Sequence, residues 1–287
     1  MIRRPPRSTL DRSSAASDVY KRQGNMSDKR MYHCSVGSRI RGYWMGGQTP
    51  AANNGVNSIN YVTISSTGDA VDYGDLASVS KNGQACSSNT RGVIALGQSP
   101  APTHVDTMEY FDLSTSGSGV DFGDASTDLR TGGAACASST RGIFWGGSTS
   151  PSSPYYGTQI DYITISTLGN AADFGDLSSV RTSAGACSNA IRGLIGGGSN
   201  PSTVNTIEYL TIASLGNSAD FGDLTQARTI LEACSSPTRG VWGGGSPNGD
   251  VLDYVNIMSV GNAIDFGNMT GRDEFGAACS NGHGGLG

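Results

Sequence analysis

The chain has 287 residues, of which 42 are glycine, and it carries a formal net charge of −5 at pH 7. Only 15% of the residues are charged, and no apolar run approaches the 18 residues that a membrane helix needs, which excludes a helical span. The net charge is also too small for a chain that charge repulsion keeps unfolded. Abundant glycine, serine and threonine with scattered β-branched residues predict many short strands joined by tight turns.

The first 23 residues differ in composition from the rest. Residues 1–23 carry six basic and two acidic side chains, whereas the remainder of the chain has a net charge of −9. An arginine- and serine-rich start is typical of transit peptides and of basic arms that bind nucleic acid. This segment resembles instead the translated sequencing-adapter peptide that contaminates assembled reading frames. We therefore expect residues 1–23 to be disordered and the folded domain to occupy residues 24–287.

The rest of the chain repeats itself with a period of about 50 residues. The phrase Cys-Ser-Ser-Asn-Thr-Arg-Gly at 86–92 returns with small changes at 136–142 and 234–240. Self-similarity at this period indicates a repeat architecture. Six cysteines, separated by 52, 50, 51, 47 and 45 residues, are assigned to one position of the repeat: Cys34, Cys86, Cys136, Cys187, Cys234 and Cys279.

Each unit contains the same predicted elements in the same order. After the cysteine, an apolar stretch runs into paired glycines, as in residues 143–147, and a variable serine-, proline- and asparagine-rich stretch follows. Residues 160–165 then alternate between apolar and polar, which predicts a strand with one buried face. A glycine turn leads to a fourth segment at 172–177. Four antiparallel strands per unit match one blade of a β-propeller.

We predict an all-β β-propeller with about five complete four-stranded antiparallel blades, at about 27–79, 80–129, 130–180, 181–227 and 228–271. Residues 24–26 read like the end of a fourth strand, and residues 272–287 repeat the start of a unit. Because an open blade exposes unpaired edge groups, we expect a fragment of a six- or seven-bladed propeller. The alternative is a compact five-bladed ring in which the terminal first strand is surplus.

The order of landmarks in these units resembles the kelch repeat. An arginine precedes the cysteine by six residues (Arg130, Arg181, Arg228), and a double glycine and an acidic-Tyr pair, such as Glu208-Tyr209, follow. The final tryptophan of the kelch pattern is replaced in every unit, by Tyr73, Phe122, Phe174, Phe221 or Phe266. The chain is also similar to glycine-rich repeat proteins of marine phages. The resemblance implies a divergent kelch-like propeller.

Six cysteines would suggest three disulfides in a secreted chain. Equivalent positions on separate blades lie too far apart for the Cα spacing of about 5.5–6 Å that a disulfide needs. We therefore expect buried free thiols, which favours a reducing compartment or a virion over secretion. Because neither a CxxC motif nor clustered histidines accompany the cysteines, we predict no metal site and no cofactor.

Two further motifs have structural interpretations. Asp-Phe-Gly, known from kinases, occurs four times without the other kinase motifs, so we expect its aromatic residue to pack between blades. Its flanking aspartates are expected at the outer sheet edge, where charge discourages association. The recurring Arg-Gly arginines are expected to cap carbonyls or pair with acidic edges, the alternative being an anion site: Arg41, Arg91, Arg141, Arg192 and Arg239.

The stretch between the double glycine and the tyrosine varies most between units, and loops on a rigid scaffold commonly carry recognition. The candidate binding residues in these stretches are Asn53, Asn54, His104, Asp106, Tyr155, Tyr156, Asn200 and Asn248. The net charge of −9 argues against nucleic acid, and no membrane partner is expected. We predict a non-catalytic scaffold that presents loops to a protein or glycan, as in a virion tail or host-attachment component. The alternative is a fragment of a propeller enzyme, glycan-active or oxidase, whose active site lies outside this chain.

Overall fold

The structure is a computed structural model and describes residues 24–126, 131–148, 157–271 and 274–286. The candidate residues Tyr155 and Tyr156, the repeat arginine Arg130 and the whole of residues 1–23 lie outside the described residues. Within the described part of the chain, no helix is long and apolar enough to cross a membrane.

The protein is a five-bladed β-propeller, as the sequence predicts, and each blade is a four-stranded antiparallel sheet. Blade 1 contains β1 (Cys34–Gly37), β2 (Arg41–Met45), β3 (Val56–Thr63) and β4 (Val71–Ser80). Blade 2 contains β5 (Gln84–Ser87), β6 (Arg91–Ala95), β7 (Thr107–Asp112) and β8 (Val120–Asp124). Blade 3 contains β9 (Ala134–Ala137), β10 (Arg141–Trp145), β11 (Gln159–Thr164) and β12 (Ala172–Asp176).

Blade 4 contains β13 (Gly185–Ser188), β14 (Arg192–Gly196), β17 (Thr206–Thr211) and β18 (Ala219–Asp223). The short strands β15 (Ser199–Asn200) and β16 (Ser202–Thr203) form a hairpin within its loop. Blade 5 contains β19 (Glu232–Ser235), β20 (Arg239–Gly243), β21 (Val251–Asn256) and β22 (Ile264–Asn268). A 3-10 turn at Gly284–Leu286 is the one helical element among the described residues.

The first strand of every blade lies at the propeller axis. β1, β5, β9, β13 and β19 follow one another around this axis, each in contact with the next. The fourth strand forms the outer edge of each sheet, so the aspartates that flank Asp-Phe-Gly lie there, as predicted. The innermost strands approach closely because the side chains that line the axis are small, mostly alanine and serine.

Apolar side chains between neighbouring blades form the core. The cluster between blades 4 and 5 illustrates the pattern: Leu194 and Phe221 of blade 4 pack against Trp242 and Ile257 of blade 5. Three equivalent clusters join blades 1 to 2, 2 to 3 and 3 to 4. Each blade thus buries its apolar faces only against its neighbours, which is the stabilising principle of repeat proteins.

Residues 276–280 occupy a sixth innermost position, between blades 5 and 1. The hydroxyl of Ser280 donates a hydrogen bond to the Ser235 carbonyl at 2.5 Å, and that of Ser35 donates to the Ala278 carbonyl at 2.8 Å. The five-bladed alternative supposed that the last copy of the first strand is surplus, and this supposition is wrong. Instead it completes the inner wall, while Gly284–Leu286 turn into the axis rather than continuing as a second strand.

Two sequence assignments need correction. Cys34 does not hold the same position in blade 1 as Cys86 does in blade 2. Cys86 pairs with Val93 in the middle of the second strand, and the residue that pairs with the equivalent Tyr43 in blade 1 is Val36. Cys34 lies two residues earlier, and the 52-residue gap before Cys86 reflects this displacement. Phe266 was expected between blades like Phe122, Phe174 and Phe221, but it is 45% exposed because no four-stranded sheet of the described residues lies against that face of blade 5.

Candidate binding surface at the loop face

The described parts of the loops that join second and third strands lie on one face of the propeller, which we call the loop face. In each blade, a residue just before the first strand forms a β-bridge with a residue at the start of the loop that joins the second and third strands. Met31 pairs with Gln48 in this way, and Thr182 pairs with Ser199. The same bridge forms in blades 2, 3 and 5. The variable loops therefore share one end of the sheets.

Six residues around the axis form a ring on this face, which we call the axial ring. Each has a left-handed backbone, with φ between 56° and 67°. The amide of each residue donates to the carbonyl of the preceding member in five of the six junctions, at 2.5–3.0 Å. The ring members are Tyr32, Asn82, Gly132, Ser183, Ile230 and Phe275.

The axial ring holds its backbone in a conformation that most of its residues disfavour. A left-handed φ is easy for Gly132 and tolerated by Asn82, but it is unusual for the β-branched Ile230. Such strain persists only where the surrounding structure fixes it, and it clusters at functional sites. The ring thus combines a repeated backbone with side chains of different chemistry.

One sector of the ring is aromatic. The rings of Tyr32 and Phe275 lie 4.4 Å apart between centroids, inclined at 56°. The Lys81 ammonium lies 5.2 Å from the centre of the Tyr32 ring, within cation–π range. All three side chains are partly exposed. This sector presents an apolar ring surface and a positive charge side by side.

The sequence-predicted residues surround the axial ring in separate loops. Asn53 and Asn54 are exposed in the loop of blade 1, and the Asn54 carbonyl accepts a hydrogen bond from the Ala101 amide of the next loop at 3.0 Å. In that second loop, His104 Nε2 lies 3.0 Å from Gln98 Nε2, and burial lowers the pKa of His104.

The remaining predicted residues are also at least partly exposed. Asp106 lies at the end of the second loop, where its carbonyl accepts from the Ala125 amide at 2.8 Å. Asn200 belongs to the β15–β16 hairpin, and Asn248 donates to the Gln226 side chain. Six of the eight predicted residues are thus placed on the loop face, without forming one cluster.

Buried ion pairs fix the base of the loops. Arg181 donates to Glu208 at 2.7 Å, and both side chains are almost fully buried. Arg228 pairs with Asp253 in the same way and donates to the carbonyl of Gly244, in the double glycine where the loop begins, at 2.8 Å. Burial lowers the pKa of Arg181, and the Glu208 carboxylate opposes this shift. In blades 4 and 5, the arginine six residues before the cysteine and the acidic residue of the acidic-Tyr pair are therefore partners that anchor a loop.

The opposite face carries the Arg-Gly arginines in structural roles. In every blade the guanidinium of this arginine lies 4.5–4.9 Å from the centre of a tyrosine ring. Arg91, Arg141 and Arg192 also donate to carbonyls of the next blade at 3.0–3.3 Å. The prediction that these arginines cap carbonyls is confirmed for these three.

The axis itself encloses a cavity of about 60 Å³, lined by the six innermost segments and by His283. His283 Nε2 donates to the Gly37 carbonyl at 2.8 Å, and the Gly285 amide donates to Nδ1 at 3.1 Å. Burial lowers the pKa of His283. A cavity of this size holds only a few waters, so it has no room for a larger ligand.

No protein-family model matches the chain, and no curated protein matches it. Neither the resemblance to kelch repeats nor that to phage repeat proteins is supported by these comparisons. Among the described residues, no group of three or more histidine, cysteine, aspartate or glutamate side chains is placed to hold a metal ion.

Sequence reasoning missed the axial ring. Its six members have no side-chain property common to all of them, so no motif marks them. Their positions could have been found by spacing, since each lies four residues before Val36 or before a cysteine from Cys86 onward.

Proposed function

We propose that this protein is a non-catalytic binding scaffold whose recognition surface is the loop face, centred on the axial ring. One observation carries the proposal. The backbone of the ring repeats six times with the same left-handed φ, while its side chains differ at every position. A rigid frame with varied side chains is the arrangement expected of a recognition surface.

The chemistry of the surface favours a protein or glycan ligand. Tyr32 and Phe275 offer partly exposed ring surface for an apolar or sugar face, and Lys81 beside them attracts an acidic group. Asn53 and Asn54 add exposed amides, which supply hydrogen bonds to hydroxyl or peptide groups. A virion or host-attachment setting would suit such a ligand class.

The anchored loops support the same function. Arg228 ties the start of the blade 5 loop to the buried Asp253, and Arg181 holds the third strand of blade 4 through Glu208 and the Thr206 carbonyl. Loops fixed at their base lose little conformational entropy on binding, which increases affinity.

The test is binding of the intact protein to a glycan array and to a displayed peptide library, followed by variants of the axial ring. Tyr32→Asn and Phe275→Asn remove the rings while keeping a residue that tolerates a left-handed φ. We expect each variant to weaken binding at least about tenfold, as loss of an aromatic contact does.

A matched control lies on the opposite face. Asn89→Ala changes an exposed residue in the turn between β5 and β6 and should leave binding unchanged. Binding that survives both ring variants, or that falls equally in Asn89→Ala, would remove the loop face as the recognition surface.

A further inference from the structure

A wedge-shaped gap separates blade 5 from blade 1, and we call it the open wedge. Residues 276–280 fill it at the axis, and residues 24–26 lie against its outer part beside blade 1. Among the described residues, no strand lies between these two segments. A cleft of about 570 Å³, lined by Trp44, Val62 and Ile64, opens there.

The walls of the open wedge are apolar faces that every other interface buries. Ile64 on blade 1 is 40% exposed, whereas its equivalents in blades 2 to 5 are at most 4% exposed. Those equivalents are Leu113, Ile165, Ile212 and Ile257. On blade 5, Phe266 is 45% exposed, and its equivalents in the other blades are again at most 4% exposed.

The inner segment of the wedge is arranged as a first strand that awaits a partner. Trp44 Nε1 donates to the Ala277 carbonyl at 3.2 Å, which reproduces the bond from Trp242 Nε1 to the Gly185 carbonyl at 2.9 Å. In the five blades, the first strand pairs antiparallel with a second strand. Residues 276–280 have no such pairing among the described residues.

The outer segment is likewise placed as the end of a fourth strand. The Ala70 amide donates to the Asn25 carbonyl at 2.7 Å. The same bond joins the Ala171 amide to the Asp124 carbonyl, at the end of β8, also at 2.7 Å. The open wedge therefore has a first-strand and a fourth-strand position occupied and the two positions between them open.

Two side chains of blade 5, those of Arg239 and Cys234, also lack the contacts that their equivalents in blades 2 to 4 make with a following blade. The Arg239 guanidinium stacks on Tyr254 and, like that of Arg41, donates to no carbonyl of the described residues. Arg91, Arg141 and Arg192 each reach a carbonyl of the next blade. The residue Cys234 is only partly buried, whereas Cys86, Cys136 and Cys187 are buried and each lies against a glycine of the next blade.

We propose that the open wedge binds a two-stranded β-hairpin with the pattern of the repeat itself. Its first strand carries Arg-Gly followed by two apolar residues and pairs with residues 276–280. Its glycine packs on Cys234, its apolar side chains cover Phe266, Trp44 and Ile64, and the carbonyls after its second strand accept from Arg239. Backbone pairing at a sheet edge supplies affinity, and the alternate side chains supply specificity.

The probe is a synthetic peptide of residues 190–213, which spans β14 and β17 of blade 4. Trp145 and Trp242 are fully buried, so a blue shift of tryptophan emission on titration reports on the partly exposed Trp44. We expect saturable 1:1 binding and a rise in Tm of the full chain. A peptide carrying Gly193→Val should fail to bind, because its side chain would meet the Cys234 thiol.

Protein variants locate the binding. Ile64→Ser and Phe266→Ser change exposed residues, so the fold should persist by circular dichroism, and each should weaken peptide binding at least about tenfold through the lost apolar contact. Ile191→Ser, at an equally exposed residue in a blade 4 turn, is the matched control and should bind normally.

Two results would overturn the proposal. One is no saturable binding of the peptide up to about 1 mM, the limit of weak association, by a chain with native circular dichroism. The other is a dimer in sedimentation that Ile64→Ser and Phe266→Ser both dissociate, since the wedge would then be an interface between two copies.

Discussion

The thiol of Cys187 in blade 4 lies directly against Gly240 in blade 5. A Cβ atom built on Gly240 would come within 2.6 Å of the Cys187 Sγ atom, closer than real Cβ contacts allow. The same relationship joins Cys86 to Gly142 and Cys136 to Gly193. Gly240 has no left-handed φ, so glycine is required here for space rather than for backbone conformation. The repeated cysteine and the glycine of Arg-Gly are two halves of one interblade contact.

Adding a methyl group at this contact should therefore destabilise the propeller. We expect Gly240→Ala to lower the free energy of unfolding by about 1–3 kcal/mol, the usual cost of overpacking. Cys187→Ala in the same chain removes the clashing sulfur and should recover part of this loss. Urea unfolding of the wild type, both single variants and the double variant measures the coupling.

Gly117→Ala is the matched control, because a Cβ there meets nothing within 4 Å and its φ is not left-handed. It should change stability by no more than about 0.5 kcal/mol. Additive effects of Gly240→Ala and Cys187→Ala would show that the two residues do not compete for the same space.

The cysteine repeat also illustrates how far sequence reasoning reached. Period and alternation predicted the sheets and their number, because both are repeated in register along the chain. They could not reveal that Cys34 lies outside the shared position, since a cysteine two residues away looks like a small change in spacing. Only the strand register identifies Val36 as the counterpart of Cys86.

The buried pair of Arg228 and Asp253 gives a second prediction. Removing one charge leaves the other buried without its partner, which typically costs about 3–5 kcal/mol. We therefore expect Arg228→Met to lower the free energy of unfolding by that amount. The double variant Arg228→Met/Asp253→Leu should recover much of the loss, since no buried charge remains.

Arg239→Met is the control for general loss of an arginine. Arg239 is exposed and stacks on Tyr254, an interaction worth about 0.5–1 kcal/mol at exposed sites. Chemical denaturation of the three variants side by side makes the comparison. A loss in Arg228→Met as small as that in Arg239→Met would contradict burial of the ion pair.

Matched aromatic residues provide a third prediction. Phe221 and Phe266 hold the same position in blades 4 and 5, but Phe221 is fully buried and Phe266 is 45% exposed. Phe221→Ala should cost about 3–5 kcal/mol of stability, the range for a buried phenylalanine. Phe266→Ala should cost about 1 kcal/mol or less by thermal or urea unfolding, because much of its surface already meets solvent. Equal losses would show that something covers Phe266 in the isolated protein.

The candidate site was only partly predictable, for a physical reason. The loops were found because their length and composition change between units. The axial ring has constant backbone geometry and unrelated side chains, from Gly132 to Ile230, so neither hydrophobic periodicity nor turn composition marks it. Phe266 shows the same limit, since its motif is identical to that of Phe221 and only the neighbouring blade distinguishes them.

His33 makes the stability of the protein depend on pH. Burial, and then the positive charge of Arg30, lowers the pKa of His33 to about 4. Histidine in the unfolded chain has a pKa of about 6.5, so between pH 6.5 and 4 the unfolded state binds the proton that the folded state excludes. Stability is therefore lost as pH falls through this range, by about 2 kcal/mol between pH 7.5 and pH 5.

The variant His33→Gln removes the titrating group. Between pH 7.5 and pH 5, its free energy of unfolding should therefore fall by about 2 kcal/mol less than that of the wild type. Urea unfolding at pH 7.5, 6 and 5 gives the free energy of unfolding of each protein as a function of pH. The contribution of the carboxylates is common to both proteins and cancels in the difference. His104→Gln is the comparison, because His104 is more exposed and its substitution should remove less of the pH dependence. Parallel curves for the wild type and His33→Gln would mean that His33 takes up its proton as readily in the folded chain as in the unfolded one.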